Sequence, residues 1–328
     1  MKTHAFFGVR ALILLALLAA LSSSGCIYVA GLGATTEKLH EETVVSSPRF
    51  IEPNKIAVIG VDGFIGEGGL FSQSTTMDDL RQRLDLAAQD GSVRAVVLRI
   101  NSPGGEVTAS DVMYQQLRAF REKTGKPVIA HILNMGASGA YYLALAADEI
   151  VCSPTGITGS VGVIMSGANI EGLYQKLGLK PVTIKSGDKK DIGSSTRPMT
   201  EEERALLQDI NRQLFGRFLD IVKERRPSMT EADLKTISDG RVVTASQALA
   251  MNMVDRIGYL EDALATAKRL ADIKDADVIV YRAARHQGGV YGSAQADEAR
   301  LTELLEKGLR TLAGQRGPGF YYLWMPDL

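Results

Sequence analysis

The sequence predicts an α/β fold with a layered, largely parallel sheet, and three observations carry that expectation. Short β-rich runs alternate with helical patterns from residue 55 to about residue 270, the order that builds βαβ units. Thr200 with Glu203, and Thr244 with Gln247, each form a capping box ahead of an apolar run. Glycine turns follow two of the strands, where sheets of this kind place their sites.

In order, residues 55–61 are β-rich, and residues 76–90 carry Met77, Leu80, Leu84 and Ala87 on one helical face. Residues 94–100 form a strand, followed by the turn Asn101-Ser102-Pro103-Gly104-Gly105 and a helix to about residue 123. A third strand spans 127–133, and Ser138 opens an alanine-rich helix to about residue 147. Short strands follow near 150 and at 161–164, then a helix over 170–177 and a strand over 181–185. The helix opened by Thr200 runs to about 225, with Leu207, Ile210, Leu214, Phe218 and Ile221 on one side.

The flanks differ in texture. Lys2 and Arg10 precede eleven unbroken apolar residues, 11–21, and Ser22-Ser23-Ser24-Gly25 leads into Cys26. Eleven residues are short for a bilayer span, which needs about 20, but suit an export signal. Small residues before Cys26 resemble the lipobox of bacterial lipoproteins, in which that cysteine is lipidated, although Ser23 stands where a leucine is usual. An uncleaved anchor continuing through Ile27-Tyr28-Val29-Ala30 is the other reading. Both place the protein outside the cytoplasm, on a membrane of the bacterial cell envelope.

Residues 27–54 read as a tether, 55–281 as the main domain, and 282–328 as a linker, an amphipathic helix over 300–312 and an aromatic tail. The tail, Phe320-Tyr321-Tyr322-Leu323-Trp324-Met325, concentrates aromatics in a chain that is 6% aromatic. Such a tail packs on something: its own domain, a neighbouring subunit or a binding groove. We expect it in or beside an apolar groove. A formal net charge of −1 argues against nucleic acid. Cys26 and Cys152 make no disulfide framework. No metal or cofactor is called for.

Ser138 lies in Gly136-Ala137-Ser138-Gly139-Ala140, where a strand runs into a helix. Free N–H groups at such a helix start suit an acyl-transfer nucleophile, although serine there often only caps. The run nearly matches Gly-x-Ser-x-Gly, which requires a downstream histidine. Only His286, in the linker, follows it. His131 lies on the preceding strand and reads as a core or edge histidine. A lysine can take the place of histidine if it is neutral when it acts. A free lysine has a pKa near 10.4, and burial lowers such a value by about 3 units or more. Lys190, in Lys189-Lys190-Asp191-Ile192-Gly193, is the candidate base, and a solvated loop is the plain alternative. The N–H groups of Gly105 and Gly139 could form a two-donor oxyanion hole; alone, the first turn is compatible with a simple type II turn. Ser160, in Thr158-Gly159-Ser160-Val161-Gly162, could orient the lysine.

Together these segments resemble the signal peptide peptidase A (SppA) family of membrane-associated serine peptidases, within the ClpP/crotonase superfamily. The matching pieces run in order: Asn101 to Gly105; Ala137-Ser138-Gly139-Ala140-Tyr141-Tyr142; Thr158 to Val163; Lys185-Ser186-Gly187 through Lys190 to Ser194; Arg197-Pro198-Met199-Thr200; and Asp239-Gly240-Arg241. They cover about residues 55–270. The resemblance implies a ClpP/crotonase-like core in which Ser138 is the nucleophile, Lys190 the base 52 residues later, Ser160 its support and Gly105 an oxyanion donor. It implies peptide substrates, namely cleaved signal peptides and unfolded apolar segments. It also implies a ring-shaped homo-oligomer in which neighbouring subunits supply the serine and the lysine. Ala140 departs from a second glycine usual in the family. A crotonase-like acyl-CoA enzyme and a non-catalytic membrane scaffold are the alternatives.

Overall fold

The central strands are near-continuous apolar runs, the mark of strands covered on both faces. In the computed structural model, which describes residues 39–47, 54–66, 76–282 and 320–324, these are β2 (Lys55–Asp62), β3 (Val93–Ser102) and β5 (Val128–Ala137). Between them lies the short β4 (Gly104–Glu106), and β1 (His40–Val45) precedes them. After β5 come β6 (Glu149–Cys152), β7 (Ile157–Gly159), β8 (Ile164–Met165), β9 (Val242–Thr244), β10 (Arg256–Ile257), β11 (Asp277–Arg282) and β12 (Phe320–Leu323).

Among the described residues nine strands form the main sheet, in the order β1-β11-β2-β3-β5-β6-β10, with β7 on the end of β5 and β9 on β7. Neighbouring pairs from β11 to β10 are parallel, and β1 closes the edge antiparallel to β11. The alternation of side chains divides the core. Ala57, Ile59, Val96, Leu98 and Ile100 join a larger cluster on one face, and Ile56, Val58, Ala95 and Val97 a smaller one on the other. Helices α1 (Thr76–Gln89), α2 (Val107–Thr124) and α3 (Gly139–Ala144) supply the first cluster. The long α5 (Glu201–Arg225) adds Phe218, Ile221 and Val222, after the short α4 (Glu171–Lys176). The helices α6 (Glu231–Ile237) and α7 (Ala245–Ala250) follow, and α8 (Leu260–Leu270) covers the second face. Both capping boxes form as expected, at Thr200 and Thr244.

Three local expectations need correction. Residues 40–45, within the span read as a tether, are strand β1. Its side chains are mostly exposed, so ladder hydrogen bonds hold it in place and apolar periodicity was absent from the sequence. The strands expected at 161–164 and 181–185 are replaced by β7 and β8 and by irregular chain. In the latter stretch Val182 and Ile184 are 86% and 96% exposed, so their apolar character meets no sheet in the single chain. Residues 1–26, the lipobox-like Cys26, His286 and the 300–312 helix lie outside the described residues. Among the described residues no helix is long and apolar enough to cross a membrane.

Candidate active site

Parallel pairing brings the two glycine turns together. β3 and β5 run side by side, and beyond a register shift Ser102 pairs with Gly136. The Asn101–Gly105 and Gly136–Ala140 turns therefore leave the same end of the sheet.

Ser138 is held in a conformation that a serine rarely adopts. Its φ is 54° and its ψ −118°, between β5 and the first residue of α3. Such a backbone costs of order 1–3 kcal/mol and persists only where its surroundings enforce it. Here they do: Ser138 N–H donates to Gly159 O at 2.7 Å, and Tyr142 N–H returns to Ser138 O at 2.9 Å. The side chain makes no capping bond. Its Oγ is buried and has no hydrogen-bond partner among the described residues. A serine that only capped the helix would spend that oxygen on an amide of the first turn. Ala140, the departure from the family pattern, is fully buried inside α3.

The bare backbone opposite is packed so closely that side chains are excluded. A Cβ on Gly105 would stand 1.8 Å from Ile65 O, and one on Gly139 2.3 Å from Ser110 Oγ and 3.3 Å from Gly105 N. Gly139 is the first residue of α3, so its N–H is among those that a helix leaves unpaired. Gly105 N–H is aimed by the ladder. Ile65 N–H donates to Gly104 O and Glu106 N–H to Ile65 O, at 2.9 and 2.8 Å. Because successive residues alternate, the N–H and C=O of Gly105 face the other edge.

That edge is occupied by β12. The tail strand lies antiparallel to β4, with Tyr322 opposite Gly105, and antiparallel to β8, with Phe320 opposite Met165. Trp324 N–H donates to Pro103 O at 3.0 Å. Two residues back along the ladder, Tyr322 and Gly105 are accordingly a hydrogen-bonded pair. The Tyr322 carbonyl oxygen and Gly139 N both crowd the missing side chain of Gly104, at 2.2 and 2.7 Å from where its Cβ would be. Gly104 itself has φ 98°, a backbone open to glycine. Behind the carbonyl, the Tyr322 ring is fully buried between Tyr142, at 5.3 Å, and Phe218, at 4.8 Å. Its hydroxyl donates to Leu214 O at 2.8 Å.

Ser160 follows β7 as Ser138 follows β5, and it too has positive φ, at 51°. It is buried, and its N–H donates to Arg241 O at 2.7 Å. Asp239 shapes that turn by accepting from Arg241 N–H at 3.0 Å and pairing with its guanidinium.

Lys190 is not joined to Ser138 within the single chain. It is exposed, and the segment around it is a series of turns: Lys190 N–H donates to Gly187 O and Ile192 N–H to Lys189 O. Turn residues such as Gly187, Asp188 and Gly193 favour this over a strand. The segment is nevertheless anchored. Ile170 N–H donates to Ser195 O at 2.7 Å, closing its base. Asp191 binds Lys185 at 2.7 Å and Arg197 at 2.8 Å, and Arg197 also binds the buried Glu203 at 2.6 Å. The hydrogen bonds from Arg197 hold Asp191 well below the usual carboxylate range and Glu203 at about 2. Lys189 pairs with Glu202 at 2.5 Å. Of Lys185, Lys189 and Lys190, only Lys190 has no carboxylate partner among the described residues.

His131 and Cys152 are core residues. His131 is fully buried, its Nε2 is 3.2 Å from Ser153 Oγ, and burial pushes its pKa down to about 4. Burial pushes the Cys152 thiol up to about 12. One polar cluster beside the site had no signal in the sequence. Asp111 accepts from Tyr142 Oη at 2.5 Å and from Arg217 at 2.7 Å, partners 31 and 106 positions away along the chain.

The sequence model of Peptidase family S49 matches residues 120–274. A protein described as a signal peptide peptidase in Enterococcus faecium is 34% identical over 248 residues, covering 75% of this chain and 72% of that protein. One described as a protease in Synechocystis sp. is 36% identical over 219 residues, covering 67% of this chain and 75% of the other. Protease 4 of Haemophilus influenzae is 34% identical over 67% of this chain, which matches only 35% of that longer protein. Among solved structures, a mutant of the 1510-N membrane-bound stomatin-specific protease aligns with a TM-score of 0.43 and 15% identity, over 66% of this chain and 85% of that one.

Proposed function

The chain belongs to peptidase family S49 and is a serine peptidase, and from that premise we propose that Ser138 is its nucleophile and Lys190 its general base. The observation that carries the nucleophile is the state of Ser138: strained, buried, and with a hydroxyl that has no partner among the described residues. Lys190 removes the hydroxyl proton as Oγ attacks a peptide carbonyl. Charge developing on the carbonyl oxygen meets the N–H groups of Gly105 and Gly139, and one such donor is worth on the order of 3 kcal/mol. The leaving amine takes the proton from Lys190; the neutral Lys190 amine then removes a proton from water, whose hydroxide displaces the acyl group, and the proton passes to Ser138 Oγ. Ser160, beside Ser138 on the neighbouring strand, steadies the lysine.

The base comes from a second copy of the chain. Support lies in the Lys190 segment, which is tied down by Asp191, Arg197 and Glu203 yet presents Lys190, Val182 and Ile184 outward. A surface of that kind suits a ring in which each subunit completes its neighbour's site. The substrates are cleaved signal peptides and other unfolded apolar segments, consistent with the aromatic lining beside Ser138. Anchoring through an N-terminal lipid or signal segment places the site on the extracytoplasmic face of the envelope. Ser138→Ala and Lys190→Ala, purified and folded, are each expected to lose peptide cleavage. Full activity in either variant removes that residue from its role, and a folded wild type without cleavage or serine labelling supports a scaffold instead.

A further inference from the structure

The adjacent tyrosines of α3 end on different kinds of partner. Tyr141 Oη donates to a backbone carbonyl, Met253 O at 3.0 Å, whereas Tyr142 Oη donates to a side chain on another helix, Asp111 Oδ1 at 2.5 Å. The same Oδ1 accepts from Nε and Nη2 of Arg217, at 3.1 and 2.7 Å. One oxygen therefore joins α2, α3 and α5. Each of these helices leads to a different part of the proposed site. α2 follows β4 without a break, which puts Asp111 in the second turn after the Gly105 strand. Tyr142 N–H closes the first turn of α3 on Ser138 O at 2.9 Å. α5 starts at the capping box of Glu203, which binds Arg197, which in turn binds Asp191 beside Lys190. Next to Asp111, Ser110 Oγ would stand 2.3 Å from a Cβ on Gly139, so the first turn of α2 abuts the first residue of α3. Any shift of α3 along α2 then changes the spacing of the Gly105 and Gly139 amides.

We infer that Asp111 is a positioning residue for the reaction: through Tyr142 and Arg217 it fixes α3, and with it Ser138 Oγ and Gly139 N–H, against Gly105 N–H and against the helix that anchors the lysine segment, an inference that rests on Ser138 being the nucleophile. The Tyr142 side chain is fully buried, so its hydroxyl needs an internal partner. A hydrogen bond weakens steeply away from its preferred angle, and bonds to a carboxylate are about twice as strong as neutral ones. The bond therefore sets the position of α3 more narrowly than ring packing on Tyr114 and Phe218 does, at 5.3 and 5.0 Å between centroids. Asp111 acts through its two partners on the groups proposed to react. Its loss leaves the means of binding substrate in place and misaligns attack, which lowers kcat and leaves KM.

Three variants of the full chain test this, each first shown to unfold cooperatively in urea. Tyr142→Phe removes one oxygen and keeps the ring, Asp111→Ala removes the shared acceptor, and Asp111→Asn keeps an acceptor of the same shape. Hydrolysis of a fluorogenic apolar peptide and the rate at which a fluorophosphonate labels Ser138 are measured. Tyr142→Phe and Asp111→Ala should each lower kcat and the labelling rate about tenfold to 100-fold, with KM within about twofold of wild type. The two losses should not add, so the double variant is about as slow as Asp111→Ala alone. Asp111→Asn should recover most of the rate. Wild-type kcat and labelling in Tyr142→Phe, losses that multiply in the double variant, or an Asp111→Asn protein as slow as Asp111→Ala would each overturn the inference. Amide hydrogen exchange decides without reference to the nucleophile. In Tyr142→Phe the Ser138 and Glu106 amides, bonded to Gly159 O and Ile65 O, should exchange about tenfold faster or more, and equal protection overturns the linkage. A wild type that neither cleaves peptide nor labels counts against Ser138 as nucleophile, and the exchange result alone then settles whether Asp111 positions α3.

Discussion

Ser138 and Ser160 stand at equivalent points on two paired strands. Ala137 is the register partner of Gly159, each serine is the next residue, and both have φ slightly above 50°. The bond from Ser138 N–H to Gly159 O ties one turn to the other, and Arg241 O holds the second. Both serines are thus presented by the ends of parallel strands, with the strain distributed over hydrogen bonds that already belong to the sheet.

That strain has a measurable consequence. Glycine accepts the backbone of residue 138 freely, whereas alanine does not. Ser138→Gly is therefore expected to be more stable than Ser138→Ala by about 1 kcal/mol, read from urea unfolding midpoints. Equal stability would mean that the strain is absent.

The proposed oxyanion donors, Gly105 and Gly139, tolerate no side chain. Gly105→Ala places a methyl group against Ile65 O and must displace the β4 backbone. We expect kcat/KM to fall about 100-fold or more with the thermal transition still cooperative. Retained activity would remove Gly105 from the site.

Acid should loosen the lysine-bearing segment. Asp191 and Glu203 are both held below their ordinary values by Arg197, Glu203 at about 2. Groups with depressed native values contribute stability above their unfolded values, near 4, and lose it as pH falls through the native value. Arg197→Gln should therefore reduce the protease resistance of residues 185–200 at neutral pH, with the difference from wild type vanishing near pH 2. A constant difference across that range would contradict the ion-pair assignment.

His131 sets a second window. Its pKa falls from an ordinary 6.5 to about 4 because burial disfavours the charged ring. The unfolded chain then binds the proton first, and stability declines as pH falls from 6.5 to about 4, by about 3 kcal/mol. Denaturant titrations of His131→Gln should lack that component.

Much of this architecture was legible because local signals agreed. The apolar runs of β2, β3 and β5, the two capping boxes and the glycine turns each pointed to what formed. The position of Ser138 at a strand–helix junction could be read, but its unused hydroxyl could not, since a capping serine has the same sequence. β1 was missed because ladder bonds hold an exposed edge strand without apolar alternation. The irregular chain over 181–185 was hidden by β-branched Val182, Thr183 and Ile184, which have high strand propensity but no sheet to join in one chain. The Asp111–Tyr142–Arg217 cluster depends on contacts across 31 and 106 residues, which no local pattern encodes.

Subunit complementation tests the proposed sharing of the Ser138–Lys190 site most directly. Ser138→Ala and Lys190→Ala proteins, each inactive alone, are co-assembled and assayed for peptide hydrolysis. Where one subunit lends its lysine to the serine of the next, about a quarter of the sites in a random mixture regain both groups, and activity returns to about that share of wild type. A mixture as inactive as its components, despite demonstrated co-assembly, would contradict a site shared between subunits.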